Sequence, residues 1–490
     1  MTETTPAAPP PLRPHTTEEA AATEDFATPT TRSGGGMWSG LRPLLLRLHF
    51  YAGVLIGPFL LVAAVTGLLY TATPQIESVV YHHELKVTPH GEPKPLAAQV
   101  DSAREATPGG RLVSVTKGAG DEDTTRVTFD VKGLPEGYTQ TAFVDPYTAE
   151  VRGSLRTFGE WLPVRAWFDS LHRTLHLGEF GRNYSEIAAS WLWVEVLGGL
   201  ALWLGAPRGR ERMRRLFVPR RGVQGRKRTL SWHGAVGLWV SAGFLALSAT
   251  GLTWSAHAGV NIGTIQDALG GATPSVSSTL GGAASKQPAP GTSAVQTDLD
   301  EAVRIARAEG LRGKLVITPP ADSRSGYVVK ENTRHWPEQQ DSVAIDPATG
   351  KVTDKVVFDD FPVLAKLTRW GIDAHMGLLF GLANQIALAA IALALIGMLF
   401  WGYRMWWLRR PTRGGGTRLG RPPVRGAWRR VPGRAMAPLV VVTAVLAYYL
   451  PLFGLPLVCF LLADLAVAEV RRRGRTHPEA RSEKPKEMAR

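Results

Sequence analysis

Four apolar runs constrain this chain more than anything else in it: Leu48 to Tyr70, Ser185 to Leu204, Trp232 to Trp254 and Met376 to Tyr403, each with few or no charges. About 20 such residues cross a hydrocarbon core of ~30 Å, so the pattern predicts a multi-span membrane protein with the lipid bilayer as its first partner. An overall hydrophobic content of 44% hides this, because the apolar residues are gathered in the runs and the basic ones lie between them. A fifth apolar stretch, Ala435 to Val470, is too long for one plain span and is interrupted by "YYLPLFGLP". Proline and glycine there favour a turn, which predicts a short helical hairpin.

The basic loops give an orientation. "APRGRERMRRLFVPRRGVQGRKR" and "RMWWLRRPTRGGGTRLGRPPVRGAWRR" are expected in the cytoplasm, since Arg and Lys beside a span are retained there. The expected order is a disordered cytoplasmic tail (1–40), span (41–72), extracytoplasmic domain (73–157), interfacial segment (158–183), span (184–206) and basic loop (207–230). The series then continues with a span (231–256), a second extracytoplasmic domain with its linker (257–362), an interfacial segment and span (363–408), basic loop (409–433), hairpin (434–470) and basic tail (471–490). A multi-pass protein of the cell membrane with both termini in the cytoplasm is thus expected, the first span serving as its own anchor with no cleavable signal. The net charge of +14 hugs the spans, which points to a membrane surface and not to nucleic acid. Cys459 is the only cysteine, so disulfide and cysteine chemistry within the chain are excluded.

An internal repeat organises the rest. "LHFYAGVLIGPFLLVAAVTGLLYT" and "WHGAVGLWVSAGFLALSATGLTWS" share a His, a Gly four residues on and a Thr-Gly-Leu near the far end; His49 aligns with His233 (233 − 49 = 184) and Thr66 with Thr250 at the same offset. The soluble stretches match as well. "LAAQVDSAREA" and "LDEAVRIARAEG" are amphipathic helix patterns followed by alternating strand patterns, and each domain closes on a turn phrase, "FVDPYTAEV" or "AIDPATGKV". "LHRTLHLGEFGRN" aligns with "AHMGLLFGLANQ", pairing His172 with His375 (375 − 172 = 203). The chain therefore reads as a duplicated unit of span, small α+β domain and span, with a four-helix membrane core of pseudo-twofold symmetry.

The repeat sorts the histidines. His49 and His233 are equivalent at the inner ends of the odd spans, and His172 and His375 at the outer ends of the even ones. A pseudo-twofold axis can set each pair face to face, as the iron of a six-coordinate haem requires. A single interfacial His is more often a hydrogen-bonding anchor, and duplication copies an unused His as faithfully as a used one. Ionisable groups at span ends are nonetheless functional candidates. His176 and His257 have no counterparts, falling opposite Leu379 and Thr73, and stand as a second tier at the outer surface: alternative outer ligands, substrate contacts or plain loop residues.

In these features the chain resembles the PepSY-associated transmembrane helix family, some of whose members are iron-regulated membrane proteins. The double unit, the two Asp-Pro turn phrases and the "LHRTLHLG" and "AHMGLLFG" span starts carry the resemblance, over roughly Leu41 to Leu408. It implies two extracytoplasmic PepSY domains. By analogy with members that reduce ferric siderophores, it also implies two b-type haems ligated by His49, His233, His172 and His375. The expected protein is a mainly α membrane protein that reduces an extracytoplasmic ferric complex, a ferric siderophore, for iron uptake. A haem-free scaffold or sensor that binds peptide or restrains a partner protease is the alternative. Some relatives add a cytoplasmic flavin-binding module, whereas this chain continues into an apolar hairpin. No Walker loop, dinucleotide-binding glycine motif or His-Glu-x-x-His is present, so the expected electron donor is a membrane quinol or a separate cytoplasmic reductase. Tryptophans at the span ends, such as Trp191, Trp193, Trp401, Trp406 and Trp407, read as interfacial belts.

Overall fold

The structure, a computed structural model, describes residues 37–205, 214–280, 297–409, 423 and 426–476. Most of the expected N-terminal tail, much of the two basic loops, the domain linker and the end of the C-terminal tail lie outside the described residues.

The first long helix starts earlier than its hydropathy suggests. α1 covers Met37–Leu55, so the last residues of the expected tail are helical. Trp38 fixes that start by packing on Gly205, where a Cβ would collide with the indole at 2.2 Å. α2, Gly57–Tyr70, continues it past Pro58. Proline has no N–H to give to the Val54 carbonyl four residues back, and the Tyr403 hydroxyl donates to that carbonyl at 2.9 Å instead. Backbone bonds carry on across the break, since the Ile56 N–H donates to the Ala52 carbonyl and the Ile56 carbonyl accepts from the Leu60 N–H. α3 (Thr73–Val80) and α4 (His82–Leu85) then lead to the soluble part.

α5 (Leu96–Ala106) precedes β1 (Arg111–Lys117), β2 (Thr125–Asp130), β3 (Tyr138–Val144) and β4 (Val151–Phe158). Two helices follow: α6 (Pro163–Thr174), and α7 (Gly178–Leu204), which is long enough to span. α8 (Arg214–Phe217), the span-length α9 (Gly225–Thr253) and α10 (Ala258–Ala268) lead to α11 (Leu299–Ala308). β5 (Leu315–Thr318), β6 (Tyr327–Glu331), β7 (Ser342–Ile345) and β8 (Val352–Val356) are succeeded by α12 (Val363–His375) and the span-length α13 (Gly381–Trp407). The chain closes on α14 (Gly433–Tyr449) and α15 (Pro451–Thr476).

Five helices among the described residues are long and apolar enough to cross a membrane: Gly57–Val80, Gly178–Leu204, Gly225–Thr253, Gly381–Trp407 and Pro451–Val470. At 1.5 Å per residue a 27-residue helix is ~40 Å long, enough for the hydrocarbon core and an interface. Leu382, Ile386, Leu393 and Phe400 of α13 remain exposed, as a lipid-facing surface requires. Ala52, Leu60, Trp191, Leu192 and Phe244 fill the space between α1, α2, α7 and α9. In the hairpin, Pro451 holds Leu450 out of helical geometry and separates α14 from α15. The hairpin packs on the core: Phe453 lies 5.2 Å from Trp191 and 5.6 Å from Trp193, and Arg47 pairs with Asp464 at 2.5 Å.

The strands of the two expected domains meet edge to edge. All eight strands form one sheet in the order β4-β3-β2-β1-β5-β6-β7-β8. The join is an antiparallel pairing of β1 with β5, Val115 opposite Ile317 and Lys117 opposite Leu315. Each four-stranded half would leave that edge bare, and pairing satisfies both edges at once. One apolar core serves the whole sheet, with Val115, Phe129, Leu315 and Ile317 covered by Leu96 and Val100 of α5 and Ala302 and Ala306 of α11.

Candidate functional site

At the end of the spans nearest the sheet, α6 and α12 carry His172 and His375 towards each other, with ring centroids 6.5 Å apart. α6 ends in two left-handed residues, Leu175 (φ 51°) and His176 (φ 55°), which reverse the chain into α7. Gly377 (φ 74°) and Gly381 (φ 55°) do the same between α12 and α13. Each ring is held at Nδ1. Thr66 Oγ1 on α2 lies 2.9 Å from His172 Nδ1, and Thr250 Oγ1 on α9 lies 2.6 Å from His375 Nδ1.

Helix carbonyls also draw on the two hydroxyls. Thr66 donates to the Val62 carbonyl at 2.8 Å and Thr250 to the Ala246 carbonyl at 2.7 Å. With its proton on the helix carbonyl, each hydroxyl offers the imidazole a lone pair, which favours the tautomer protonated on Nδ1 with Nε2 free. The next residue makes room. A Cβ at Gly67 would stand 3.1 Å from His172 Cε1, and one at Gly251 would stand 3.8 Å from His375 Cε1. The Thr-Gly step is thus a clamp followed by a clearance. In the sequence it is visible only as a mark of the repeat.

At the far end of the spans His49 of α1 and His233 of α9 stand with ring centroids 6.2 Å apart. Here the partner of Nδ1 is an acid: Glu195 Oε2 of α7 lies 2.9 Å from His49 Nδ1. Gly199 gives the clearance, since a Cβ there would come within 3.1 Å of His49 Cε1. Each pair borders a cavity. The one near the sheet has ≈ 190 Å³ and is lined by His172, His375, Gly67 and Gly251; the far one has ≈ 400 Å³ and is lined by His49, His233, Glu195 and Gly199.

Two imidazoles sharing one metal at ~2.0 Å per bond would have centroids ~6.4 Å apart, which both pairs match. The second-tier histidines stand apart from the lining of both cavities. His176 is exposed, its ring 4.9 Å from Trp167. His257, also exposed, has Nε2 3.0 Å from Asn183 Oδ1 and precedes α10, donating its backbone N–H to Glu186 Oε2 at 3.0 Å.

A charged junction ties the sheet to the sheet-side pair. Arg334 reaches Glu160 at 2.6 Å and Asp373 at 2.5 Å, with its guanidinium 4.7 Å from the Trp161 ring. Asp373 is fully buried two residues before His375. Burial works to raise the Glu160 carboxyl, but Lys314, Arg334 and Asn332 outweigh it and hold it down to about 2. Glu338 goes the other way: burial and the neighbouring Asp373 push it up to about 7, against the pull of Arg369. These residues are scattered between 160 and 373, and no sequence motif announces them.

No curated protein matches the chain at a significant level. The stretch from residue 46 to residue 409 holds all four paired histidines, both Thr-Gly steps and the whole sheet; it matches the PepSY-associated TM region, and the chain belongs to that family.

Proposed function

We propose that this protein carries electrons across a cell membrane and reduces a ferric complex, a ferric siderophore, on the outer side. His172 with His375, and His49 with His233, would each hold one haem b. The observation that carries this reading is the pair of histidine pairs, 6.5 and 6.2 Å between ring centroids, each bordering a cavity among the span helices.

The surroundings suit such a group. Among the described residues no three of His, Cys, Asp and Glu gather as a metal site, so a bare ion would find too few donors at either pair. A haem brings most of its iron's donors with it and would be held here by one histidine pair at each site. Nδ1 of His172 and His375 is engaged by threonine, which would leave Nε2 of each ring to hold such a group. When bound, haem supplies a one-electron ferric/ferrous couple, and the ferrous product of the acceptor is held less tightly by hard oxygen donors. The duplicated unit accounts for two equivalent sites, and the arginine-rich loops put the sheet outside with both termini in the cytoplasm. The donor of this reading is a membrane quinol or a separate cytoplasmic reductase.

The absorption spectrum and pyridine haemochrome content of the purified full chain test it. Two low-spin haems per chain are expected in the wild type. His172→Ala or His375→Ala should remove or convert one, and His49→Ala or His233→Ala the other. Protein made with ample haem that carries none would overturn the reading and leave the haem-free scaffold or sensor in its place. If His176→Ala or His257→Ala alone disturbed the outer haem, the ligand assignment would fall and the function would stand.

A further inference from the structure

The two sites differ in what holds the histidines. Near the sheet both Nδ1 atoms face neutral hydroxyls, at 2.9 Å for Thr66 and 2.6 Å for Thr250. At the far pair His49 Nδ1 faces the Glu195 carboxylate at 2.9 Å. Glu195 Oε1 and His49 Nδ1 are both buried with no aligned hydrogen-bond partner among the described residues, so acid and imidazole meet as a close ion pair. Duplication did not require this. The 203-residue offset that relates His172 to His375 takes Glu195 to Met398 (398 − 195 = 203), so the repeat has an acid in one half and a thioether in the other. An acid inside a span is costly to keep without a use.

From this asymmetry we infer that Glu195 sets the inner site to the lower reduction potential of the two, giving electron transfer across the membrane its inner-to-outer direction. The inference rests on the haem reading above. A carboxylate 2.9 Å from Nδ1 polarises the imidazole into a stronger donor, and its negative charge acts across one ring in a medium of low dielectric. Both effects favour the ferric form and lower the potential. Glu195 is a positioning residue: it acts through His49.

Other charges bear on that difference. Arg42 and Arg226, which also line the far cavity, are exposed and their fields are screened, whereas the half-buried Arg409, over the Phe50 ring, keeps its positive charge and opposes part of the effect of Glu195. Around the sheet-side cavity two acids, Asp169 and Glu186, face two bases, Arg173 and Arg182, and neither acid replaces threonine at Nδ1. The exchange between the sites is one electron, with no bond made or broken. The quinol or reductase supplies it and the ferric complex takes it up.

Potentiometric titration of the full haem-loaded chain, followed by its visible spectrum, tests the inference. The wild type should titrate in two one-electron steps, and the lower step should survive in His172→Ala, which lacks the outer haem. Glu195→Gln keeps an acceptor at the same place and removes the charge, so it should move the lower step upward and leave the upper one unmoved. Glu195→Asp should keep the lower step low. Should Glu195→Gln fail to hold the inner haem, the order of the steps in wild type and His172→Ala decides the matter. The inference is overturned if the inner pair carries the higher step, or if Glu195→Gln retains both haems with unchanged potentials. Two haems with potentials in the wrong order would sink this inference alone, whereas protein without haem would sink the functional reading with it.

Discussion

Thr250 Oγ1 sits 2.6 Å from His375 Nδ1 while giving its own proton to the Ala246 carbonyl, and Thr66 repeats the arrangement with His172 and Val62. Replacing either threonine by valine keeps the shape and removes the acceptor. The stranded Nδ1–H then costs ~1–3 kcal/mol, and the ring loses its preferred tautomer. Thr250→Val and Thr66→Val should therefore weaken haem retention at the outer site by about 10- to 100-fold, with the inner haem unaffected. Thr250→Ser should restore it. Haem titration of the apoprotein measures this, and equal affinities in Val and Ser variants would show the hydroxyl to be idle.

The clearances predict a graded series. At Gly67 and Gly199 a new Cβ would press on His172 Cε1 and His49 Cε1 at 3.1 Å, whereas at Gly251 the nearest ring atom is an ordinary 3.8 Å away. Gly67→Ala should disturb the outer low-spin spectrum and Gly199→Ala the inner one, each more than Gly251→Ala. Gly397→Ala, where a Cβ meets nothing within 4 Å, is the control. An equal response at all four positions would mean that the glycines serve helix packing alone.

The Asp-Pro turns belong to the sheet and not to the sites. Asp145 Oδ1 accepts from the Tyr147 N–H at 2.8 Å, and Asp346 Oδ1 from the Ala348 N–H at 2.8 Å. Asp145→Ala or Asp346→Ala should cost roughly 1–2 kcal/mol through the lost turn bonds. Haem per folded chain should stay at the wild-type value. Melting curves and haemochrome counts on the same samples separate the two effects, and loss of haem from fully folded protein would contradict the assignment.

What the sequence made legible is what the repeat wrote twice. His49 with His233 and His172 with His375 could be matched because the same spacing recurs, and the structure brings these two sets together. The joining of the two half-sheets was not legible, since a strand such as "RLVSVTK" does not say which edge it will meet. Glu195 reads in one dimension as a stray acid in an apolar run, and its meaning depends on a ring that lies on another helix. Arg334 and Asp373 are 39 residues apart, and burial alone makes them partners. The start of α1 at Met37 was hidden because the Trp38 contact with Gly205 is tertiary and leaves no hydropathy signal.

Orientation rests on the arginine-rich loops and decides which pair is the outer one. A reporter active only outside the cytoplasm should work when fused near Gly120, after β1, or near Ala321, between β5 and β6. It should fail near Gly222, before α9, and in the second basic loop near Gly415. The reverse pattern would invert the proposed direction of transfer.

The junction between sheet and helices should have its own pH signature. Glu338 has its carboxyl raised from an ordinary 4.5 to about 7, so between those values the folded chain binds more protons than the unfolded one. That contribution is complete below pH 4.5 and is lost as pH rises through 7. Glu160, held down to about 2, has the opposite sign: its contribution is present above pH 4.5 and is lost as pH falls towards 2. Glu338→Gln should accordingly flatten the change in melting temperature between pH 5 and 8 and raise the value at pH 8 relative to wild type. Glu160→Gln should lower the melting temperature at pH 7, with the deficit shrinking as the pH is brought down. Melting temperatures of the three proteins across that range are the measurement. A Glu338→Gln variant as sensitive to pH as the wild type would show that Glu338, despite sharing Arg369 with the buried Asp373, stays ionised in the folded protein.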